Sequence, residues 1–461
     1  MSRAQPEPAA GFSTVPGLPQ PQRAWAAFTL ALAIVMSVLD GTMMAVALPT
    51  IARELEVSAS ASIWIVNAYQ LTIVVALLPM ASLGEILGYR RVYCTGLAIF
   101  TLGSLLCASS NSLTMLTLAR ILQGFGAAGV MSLSPALVRF IYPPHRLGRG
   151  IALNALVVAL AAAFGPTAAA AILYIGPWPW LFAINVPLGC LALLVGMRVL
   201  PSLPVSEGRF DTISAILHAI TFGLLIYSID ELGHGRDLPL VAAGIGIALV
   251  VGFFLVRRQL SRPAPLLPVD LLRIPMISLS IATSSCSFAA QMIAMLVIPF
   301  YFHESLGFGA VETGLTLTAW PLAVAITAPL AGRLVEYYPA GLLGGLGLAL
   351  LALGLALLAM APPGADQLDL IWRLAICGAG FGLFQSPNNR TIMTTAPPKR
   401  SGGAGGLLGT ARLFGQSLGA ALAALVFAWA PDNIQAVGLG LAAGFAAVGA
   451  LFSGLRLAKP T

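Results

Sequence analysis

Residues 24–49 read AWAAFTLALAIVMSVLDGTMMAVALP. This stretch holds one charged side chain, Asp40, in a run long enough to cross a bilayer, which requires about 20 mostly apolar residues. The whole chain has the same character, because 58% of its 461 residues are hydrophobic, 9% are charged and the mean hydropathy is +0.91. The apolar runs are continuous and do not alternate with polar residues, which argues against a transmembrane β-barrel. The sequence therefore predicts an all-α membrane protein.

Apolar runs separated by polar or charged breaks predict fourteen transmembrane helices. They lie near residues 24–49, 61–84, 92–110, 113–139, 150–175, 180–200, 212–229, 238–256, 277–302, 312–335, 341–361, 370–395, 402–430 and 434–455. A cytosolic N-terminus places most of the 24 Lys and Arg residues on the inner side, as the positive-inside rule requires. We therefore expect a multi-pass protein of the cell inner membrane, with both termini in the cytosol.

Three further features limit the class of membrane protein: the N-terminal tail, the net charge and the cysteines. Residues 1–23 are rich in Pro, Ala, Gly and Gln and lack the apolar core of a signal peptide, so we expect a disordered cytosolic tail. The net charge of +7 comes from basic residues spread between the apolar runs, which argues against nucleic-acid binding. The five cysteines lie inside apolar runs without metal-ligand spacing. We expect no metal and no cofactor.

Similar segments recur on the two sides of a central pair of spans. The corresponding segments are Pro79–Glu85 with Pro329–Glu336, and Arg120, Gly124 and Gly126 with Arg373, Gly378 and Gly380. If the seventh and eighth spans are an insert, these segments fall at equivalent positions of two six-helix halves, an architecture found in many secondary transporters. The predicted organisation is an N-terminal half at 24–200, an insert with flanking loops at 201–276 and a C-terminal half at 277–461.

Several motifs follow one another in a fixed order along the chain. They are Leu39–Pro49, Ala81–Arg91, Arg120–Ala128, Gly165-Pro166, Trp178–Gly189 and Ser401–Gly419. Together they resemble the fourteen-span drug:proton antiporter branch of the major facilitator superfamily, over nearly the whole chain. The resemblance implies the major facilitator fold. It also implies proton-coupled antiport that exports hydrophobic, often cationic, drugs or toxic compounds across the cytoplasmic membrane by alternating access.

Other function classes fit less well. A dedicated exporter of one metabolite, such as a siderophore, a pigment or a self-made antibiotic, remains an open alternative. An enzyme would need a catalytic constellation in the membrane, but His218 stands alone in its span and the other three histidines lie in loops or at span ends. A channel would need rings of filter residues, whereas a two-fold repeat suits a monomeric carrier. We therefore expect a monomer without enzymatic activity, whose partners are a small-molecule substrate, protons and the lipid bilayer.

Asp40 and Arg120 are the candidate proton-coupling residues. Asp40 is the only acidic residue deep within a predicted span, about 13 Å from the outer end of the first helix, and Arg120 lies about 10 Å from the outer end of the fourth. A carboxylate in the membrane persists where it lines a cavity, pairs or titrates. We expect Arg120 to hold Asp40 deprotonated until protonation or substrate binding breaks the contact. A permanent structural ion pair is the alternative.

Polar, aromatic and sulfur-bearing side chains near mid-membrane are the candidates for substrate binding. Amide and guanidinium groups supply hydrogen bonds, whereas aromatic rings and methionines suit a broad apolar pocket and aromatic faces attract cations. The candidates are Asn67, Tyr69, Gln70, Phe288, Gln291, Met292, Met295, Trp320, Arg412 and Gln416. Ordinary helix packing is the alternative for each of them.

Gating candidates lie after the second span, at the inner end of the fourth span and within the fifth. A cytoplasmic cluster of charges is expected to clamp the inner gate through salt bridges. A glycine and a proline in the fifth span are expected to allow close helix approach and a bend. The candidates are Glu85, Gly88, Arg90, Arg91, Arg139, Gly165 and Pro166.

Overall fold

A computed structural model describes residues 17–143, 146–202, 210–233, 238–261, 268–397 and 400–458, and these residues form helices and connecting turns without a strand. The predicted N-terminal tail lies mostly outside this range. The long helices are α1 (Gln22–Glu54), α2 (Ala59–Leu87), α3 (Tyr89–Ala108), α4 (Leu113–Ile141), α5 (Leu147–Ile175), α6 (Trp180–Val199), α7 (Thr212–Gly233), α8 (Leu238–Leu260), α9 (Pro275–Glu304), α10 (Ala310–Leu334), α11 (Ala340–Ala359), α12 (Gln367–Thr395), α13 (Ser401–Trp429) and α14 (Ile434–Leu455).

Thirteen stretches among the described residues are long and apolar enough to cross a membrane. The helix outside this set, α5, is continuous from Leu147 to Ile175, and its apolar stretch with described side chains covers Phe164–Ile175. Helices are the expected form, because in lipid each backbone N–H and C=O must find its partner within the protein. The predicted all-α membrane fold is confirmed, and the thirteen candidate spans are approximately consistent with the fourteen expected.

Close backbone contacts relate α3 and α4 to α11 and α12. A Cβ atom at Gly126 would lie 2.2 Å from the backbone of α3, and one at Gly380 would lie 2.5 Å from the backbone of α11. With these two glycines matched, Arg120 aligns with Leu374, so Arg373 is one position away. Because one residue turns an α-helix by about 100°, Arg373 faces a different neighbour, and it forms an ion pair within its own helix. The expected equivalence of Arg120 and Arg373 is therefore wrong by one residue.

The inserted helices pack outside the bundle, and α7 contacts both halves. The Nε2 atom of His218 lies 3.1 Å from the carbonyl oxygen of Val74 on α2. One turn later, Phe222 meets Phe414 of α13 edge-on, with 5.6 Å between ring centroids. Most of α8 is exposed and apolar, as expected for a lipid-facing helix. The insert therefore covers the seam between α2 and α13.

An ion pair joins the two inserted helices at one end. The carboxylate of Asp211 lies 2.9 Å from Nη2 of Arg258. Burial raises the pKa of Asp211, but hydrogen bonds from Ser214 and Arg258 outweigh this effect and bring the pKa down to about 2. Asp211 is therefore charged at neutral pH, and its ion pair with Arg258 links α7 to α8.

The two halves meet on the predicted outer side. Thr167 of α5 and Thr318 of α10 share a hydrogen bond of 2.6 Å between their hydroxyl oxygens. Arg53, at the end of α1, has its Nη1 atom 3.5 Å from the Nε2 atom of His303 on α9. Each of these contacts joins a helix of the N-terminal half to one of the C-terminal half. The predicted outer side is therefore closed in this conformation.

Candidate functional site

A buried ion pair joins α1 to α4. The Nη1 atom of Arg120 donates a hydrogen bond to Oδ2 of Asp40, and both side chains have a relative exposure of 0%. The two residues thus lie in contact, as their predicted depths suggest. Either charge alone at this depth would be costly, because its hydration is lost without compensation.

Other helices that contact the guanidinium of Arg120 are α2 and α6. Its Nε atom donates to the carbonyl oxygen of Ile65 at 3.0 Å. The guanidinium carbon lies 4.0 Å from the centroid of the Tyr69 ring and 5.6 Å from that of Phe182. An aromatic face stabilises a cation through its quadrupole, more strongly where water is excluded. Arg120 is therefore held in place by three helices besides its own.

Two amide side chains complete the hydrogen bonding of Asp40. Gln123 donates to Oδ1 of Asp40 at 2.8 Å, and Asn185 of α6 donates to the same oxygen at 3.5 Å. Gln123 also donates to the hydroxyl of Ser104 on α3 at 2.9 Å and accepts from Arg120 at 2.7 Å. Only donors face the carboxylate, which is the arrangement that an ionised Asp requires.

Protonation of Asp40 would disturb this network. A protonated carboxyl carries an O–H group, and here that group would face the N–H donors of Arg120, Gln123 and Asn185. It would also remove the charge that balances Arg120. The presence or absence of one proton on Asp40 is therefore linked to the contacts among α1, α3, α4 and α6.

Gln123 and Asn185 are site residues that the sequence did not single out. Gln123 lies three residues after Arg120, so both share one face of α4. That spacing is the signal that could have identified it. Asn185 is polar in an otherwise apolar segment, but nothing in the sequence indicates which helix it faces.

The ten predicted substrate-binding residues differ in exposure. The buried ones are Asn67, Tyr69, Gln70, Phe288, Met292 and Trp320. The partly exposed ones are Gln291, Met295, Arg412 and Gln416. Among the buried residues, Tyr69 serves Arg120 and Phe288 packs edge-on against Phe381 at 5.4 Å. In this conformation the buried group is already packed within the protein.

Arg412 lies on the side of α13 that faces the space between the halves. Three residues earlier, Gly409 approaches Leu77 of α2, and three residues later, Gly415 approaches the backbone of α9. Because three residues turn a helix by about 300°, Arg412 points between these two contacts. Phe414, two residues later, lies on the other side of the helix and faces the insert. Its Nε atom has no hydrogen-bond partner, and it takes part in none of the ion pairs formed by the described residues.

The predicted salt-bridge clamp of the inner gate is not formed in this conformation. Arg90 instead donates to the carbonyl oxygen of Met197 and, at 3.1 Å, to the hydroxyl of Ser202. Carbonyl groups in the last turn of a helix lack partners within it, which makes them strong acceptors for a nearby cation. The other charged candidates are exposed and take no part in the ion pairs of the described residues: Glu85, Arg91 and Arg139.

The remaining gating candidates lie where backbones turn or approach closely. Gly88 joins α2 to α3 with φ of 98°, a conformation that favours glycine. A Cβ atom at Gly165 would lie 1.9 Å from the hydroxyl of Thr42 on α1. A Cβ atom at Gly314 of α10 would lie 2.6 Å from the carbonyl oxygen of the next residue, Pro166. At this point α5 therefore contacts both halves.

A second buried arginine, which the sequence gave no reason to expect, follows α14. Arg456 is 3% exposed and donates to Asn388 of α12 at 2.8 Å and to Ser280 of α9 at 3.0 Å. Asn388 in turn donates to Ser284 at 2.8 Å. The acceptors of Arg456 are neutral, because Arg456 takes part in none of the ion pairs of the described residues. Arg456 thus ties three helices of the C-terminal half together.

Comparison with protein families gives one match over most of the chain. The Major Facilitator Superfamily model matches residues 30–420. Transporter YebQ of Escherichia coli is 56% identical, over 96% of this chain and 98% of YebQ. The riboflavin transporter RibZ of Clostridioides difficile is 30% identical, over 87% of each chain. Multidrug resistance protein Stp of Mycobacterium tuberculosis is 32% identical, over 88% of this chain and 76% of Stp.

Solved structures show the same fold at low sequence identity. A peptide transporter POT in complex with sulfate has a TM-score of 0.72 at 17% identity, over 97% of this chain and 96% of that one. A bacterial homologue of the human lysosomal transporter Spinster, in an inward-facing conformation, has a TM-score of 0.66 at 16% identity, over 95% and 98% of the two chains. These structures support the arrangement of the helices.

Proposed function

Because the chain belongs to the major facilitator superfamily, we propose that it is a proton-coupled antiporter that exports hydrophobic small molecules by alternating access. It acts as a monomer in the cell inner membrane, with both termini in the cytosol. The observation that carries the proposal is the buried contact of Asp40 with Arg120, Gln123 and Asn185. A multidrug resistance protein and a riboflavin transporter among the relatives support a small organic substrate.

The coupling follows from the chemistry of Asp40. With the outer side closed, Asp40 accepts hydrogen bonds from N–H donors, and we assign this conformation to the state after proton release to the cytosol. Substrate binds from the cytosol, and the outer side then opens. A proton from outside neutralises Asp40 and loosens its contacts as substrate leaves. Inward proton movement contributes about 2.3 kcal/mol per 100 mV and about 1.4 kcal/mol per pH unit.

The charges of the membrane interior favour neutral or acidic substrates. Of the acidic residues that the structure describes, Asp40 alone lies far from helix ends, and Arg120 neutralises it. Arg412 faces the space between the halves without a counter-ion among the described residues. A positive site of this kind disfavours the cationic drugs that the family resemblance suggested. It also gives specific support to the second candidate, a dedicated exporter of one metabolite that bears an acidic group.

Proton release on substrate addition tests the proposal. Inverted membrane vesicles with an acidified interior are given a neutral dye, an anionic dye or ethidium, and a pH probe inside reports proton efflux. Wild type should release protons with at least one compound, and Asp40→Asn should not. The matched control is the double variant Asp40→Asn with Arg120→Gln, which removes both charges and should fold without coupling. Proton release by folded Asp40→Asn protein would exclude Asp40 as the carrier.

A further inference from the structure

A basic cavity lies away from the ion-pair network, between the start of α1, the end of α4 and the start of α5. Its volume is about 470 Å³. Its lining includes Arg23, Arg146 and Arg149 together with Tyr142. On the predicted topology these helix ends lie on the cytosolic side. The cavity therefore sits at the level of the inner-leaflet headgroups.

The cavity carries uncompensated positive charge. Its lining includes three arginines and no acidic side chain. In the described part of the chain, none of the three takes part in an ion pair. Several guanidinium groups around one cavity match the oxygens of a phosphate, because each guanidinium offers paired N–H donors. The site thus suits a phosphate monoanion or dianion.

The other side of the cavity is apolar and opens along α5. Leu153 and Val157 line the cavity, and Leu160 and Phe164 continue the same helix face at steps of three and four residues. Leu153, Leu160 and Phe164 are 45%, 47% and 62% exposed. A row of large exposed apolar side chains on a membrane helix faces lipid chains. The row leads from the arginines toward the middle of the bilayer.

The α1 wall of the cavity has small side chains. Ala24, Ala27 and Ala31 line it at intervals of three and four residues, next to Phe28. Alanines at this spacing leave a shallow groove along the helix, and Phe28, which is 42% exposed, borders it. A groove that joins a phosphate-binding end to an apolar stripe matches a phospholipid, with its headgroup in the cavity and a chain along the stripe.

We propose that this cavity binds an anionic phospholipid of the inner leaflet, such as phosphatidylglycerol, through Arg23, Arg146 and Arg149. Basic pockets between membrane helices on the cytosolic side bind lipid headgroups in this way. The site is separate from Asp40, but it lies on the same helix, α1, and on α5, which also contacts α10. A lipid seated here braces the inner ends of two helices that contact the C-terminal half at their outer ends.

The test compares lipid binding to the purified full chain in detergent. Phosphatidylglycerol and phosphatidylcholine with identical acyl chains are titrated, and native mass spectrometry and the melting temperature report binding. Wild type should bind phosphatidylglycerol at least ten-fold more tightly. In the variant Arg23→Gln, Arg146→Gln, Arg149→Gln that affinity should fall by about a hundred-fold, since each cation near the surface contributes about one kcal/mol. Inorganic phosphate alone, added as a separate arm, should stabilise the protein much less.

A control variant with the same loss of charge isolates the cavity. Arg257, Arg273 and Arg333 are exposed arginines outside the cavity, and their combined change to Gln should leave the binding of phosphatidylglycerol unchanged. Equal losses in both variants would overturn the proposal, as would unchanged binding by the cavity variant. If inorganic phosphate raised the melting temperature as much as the lipid does, the cavity would be a site for a soluble anion instead. If the triple variant does not fold, Arg23→Gln and Arg149→Gln, each made singly, must weaken binding several-fold.

Discussion

Asp40 and Arg120 hold opposite charges at a depth where either one alone would be costly. A buried pair contributes little to stability compared with an apolar pair of similar volume, whereas removing one partner leaves the other uncompensated. Gln123 and Asn185 act as additional hydrogen-bond donors to the carboxylate of Asp40. We propose that this pair couples proton movement to transport, and a permanent structural ion pair is the alternative.

Removing one charge of the pair should be more harmful than removing both. We expect Asp40→Asn to lower the free energy of unfolding by about 3 to 5 kcal/mol, because Arg120 then stays buried without its counter-ion. The double variant Asp40→Asn with Arg120→Gln should recover most of that loss. Thermal unfolding of the detergent-solubilised protein measures both. If the two substitutions lowered the free energy of unfolding additively in the double variant, the two charges would not depend on each other.

Arg412 should determine which substrate charge is accepted. Arg412→Gln should reduce transport of an anionic dye at least ten-fold and leave that of a neutral dye nearly unchanged, because Nε of Arg412 has no hydrogen-bond partner and Arg412 takes part in none of the ion pairs of the described residues. Arg412→Lys keeps the charge and should retain a substantial part of anion transport. Fluorescence assays in vesicles measure both dyes. An equal loss for both dyes would instead indicate a role in helix packing.

At the scale of helices, close approach depends on the absence of side chains. Helices α3 and α4 touch at Gly126, and α11 and α12 touch at Gly380. Small residues at such crossings permit the backbone contacts that drive association in lipid, where apolar burial contributes little. The matching contacts in both halves keep the repeat visible in the structure even though its arginines differ in their surroundings.

A methyl group at Gly126 should separate α3 from α4. The added Cβ atom would lie 2.2 Å from a backbone nitrogen, so one helix must move, and Gly126→Ala should lower the melting temperature by several degrees. Gly440→Ala is the matched control, because no atom lies within 4 Å of a Cβ atom there. Alanine has the higher helix propensity, so the control should be neutral or slightly stabilising. Comparable destabilisation at both positions would contradict the packing explanation.

At the scale of the whole molecule, the proposed alternating access requires the predicted outer side to open. The hydroxyl groups of Thr167 and Thr318 lie 2.6 Å apart across the two halves. On the opposite face the insert helix α7 contacts both α2 and α13, so it must follow or slide during the same movement. In the proposed cycle the two halves are the moving parts, and α7 lies across their seam.

A crosslink across the outer contact should stop transport. We expect the double variant Thr167→Cys with Thr318→Cys to lose nearly all export activity after mild oxidation and to regain it with a reducing agent, because the disulfide holds the outer side closed. The two single variants, which keep the five native cysteines, are the controls and should respond to neither treatment. Full activity in the oxidised and crosslinked protein would show that this contact need not open.

The sequence by itself determined the class of the molecule, the number of spans and the identity of Asp40 and Arg120 as a candidate pair. Long apolar runs and charged breaks follow from the cost of backbone and charge in lipid, so they can be read without a structure. Only the tertiary structure decided that Gln123, Asn185 and Ser104 surround Asp40, that Arg90 bonds to the end of α6, and that Arg412 faces the space between the halves. Those contacts depend on how helices rotate and pack against one another, and a one-residue offset such as that of Arg373 changes the partner completely.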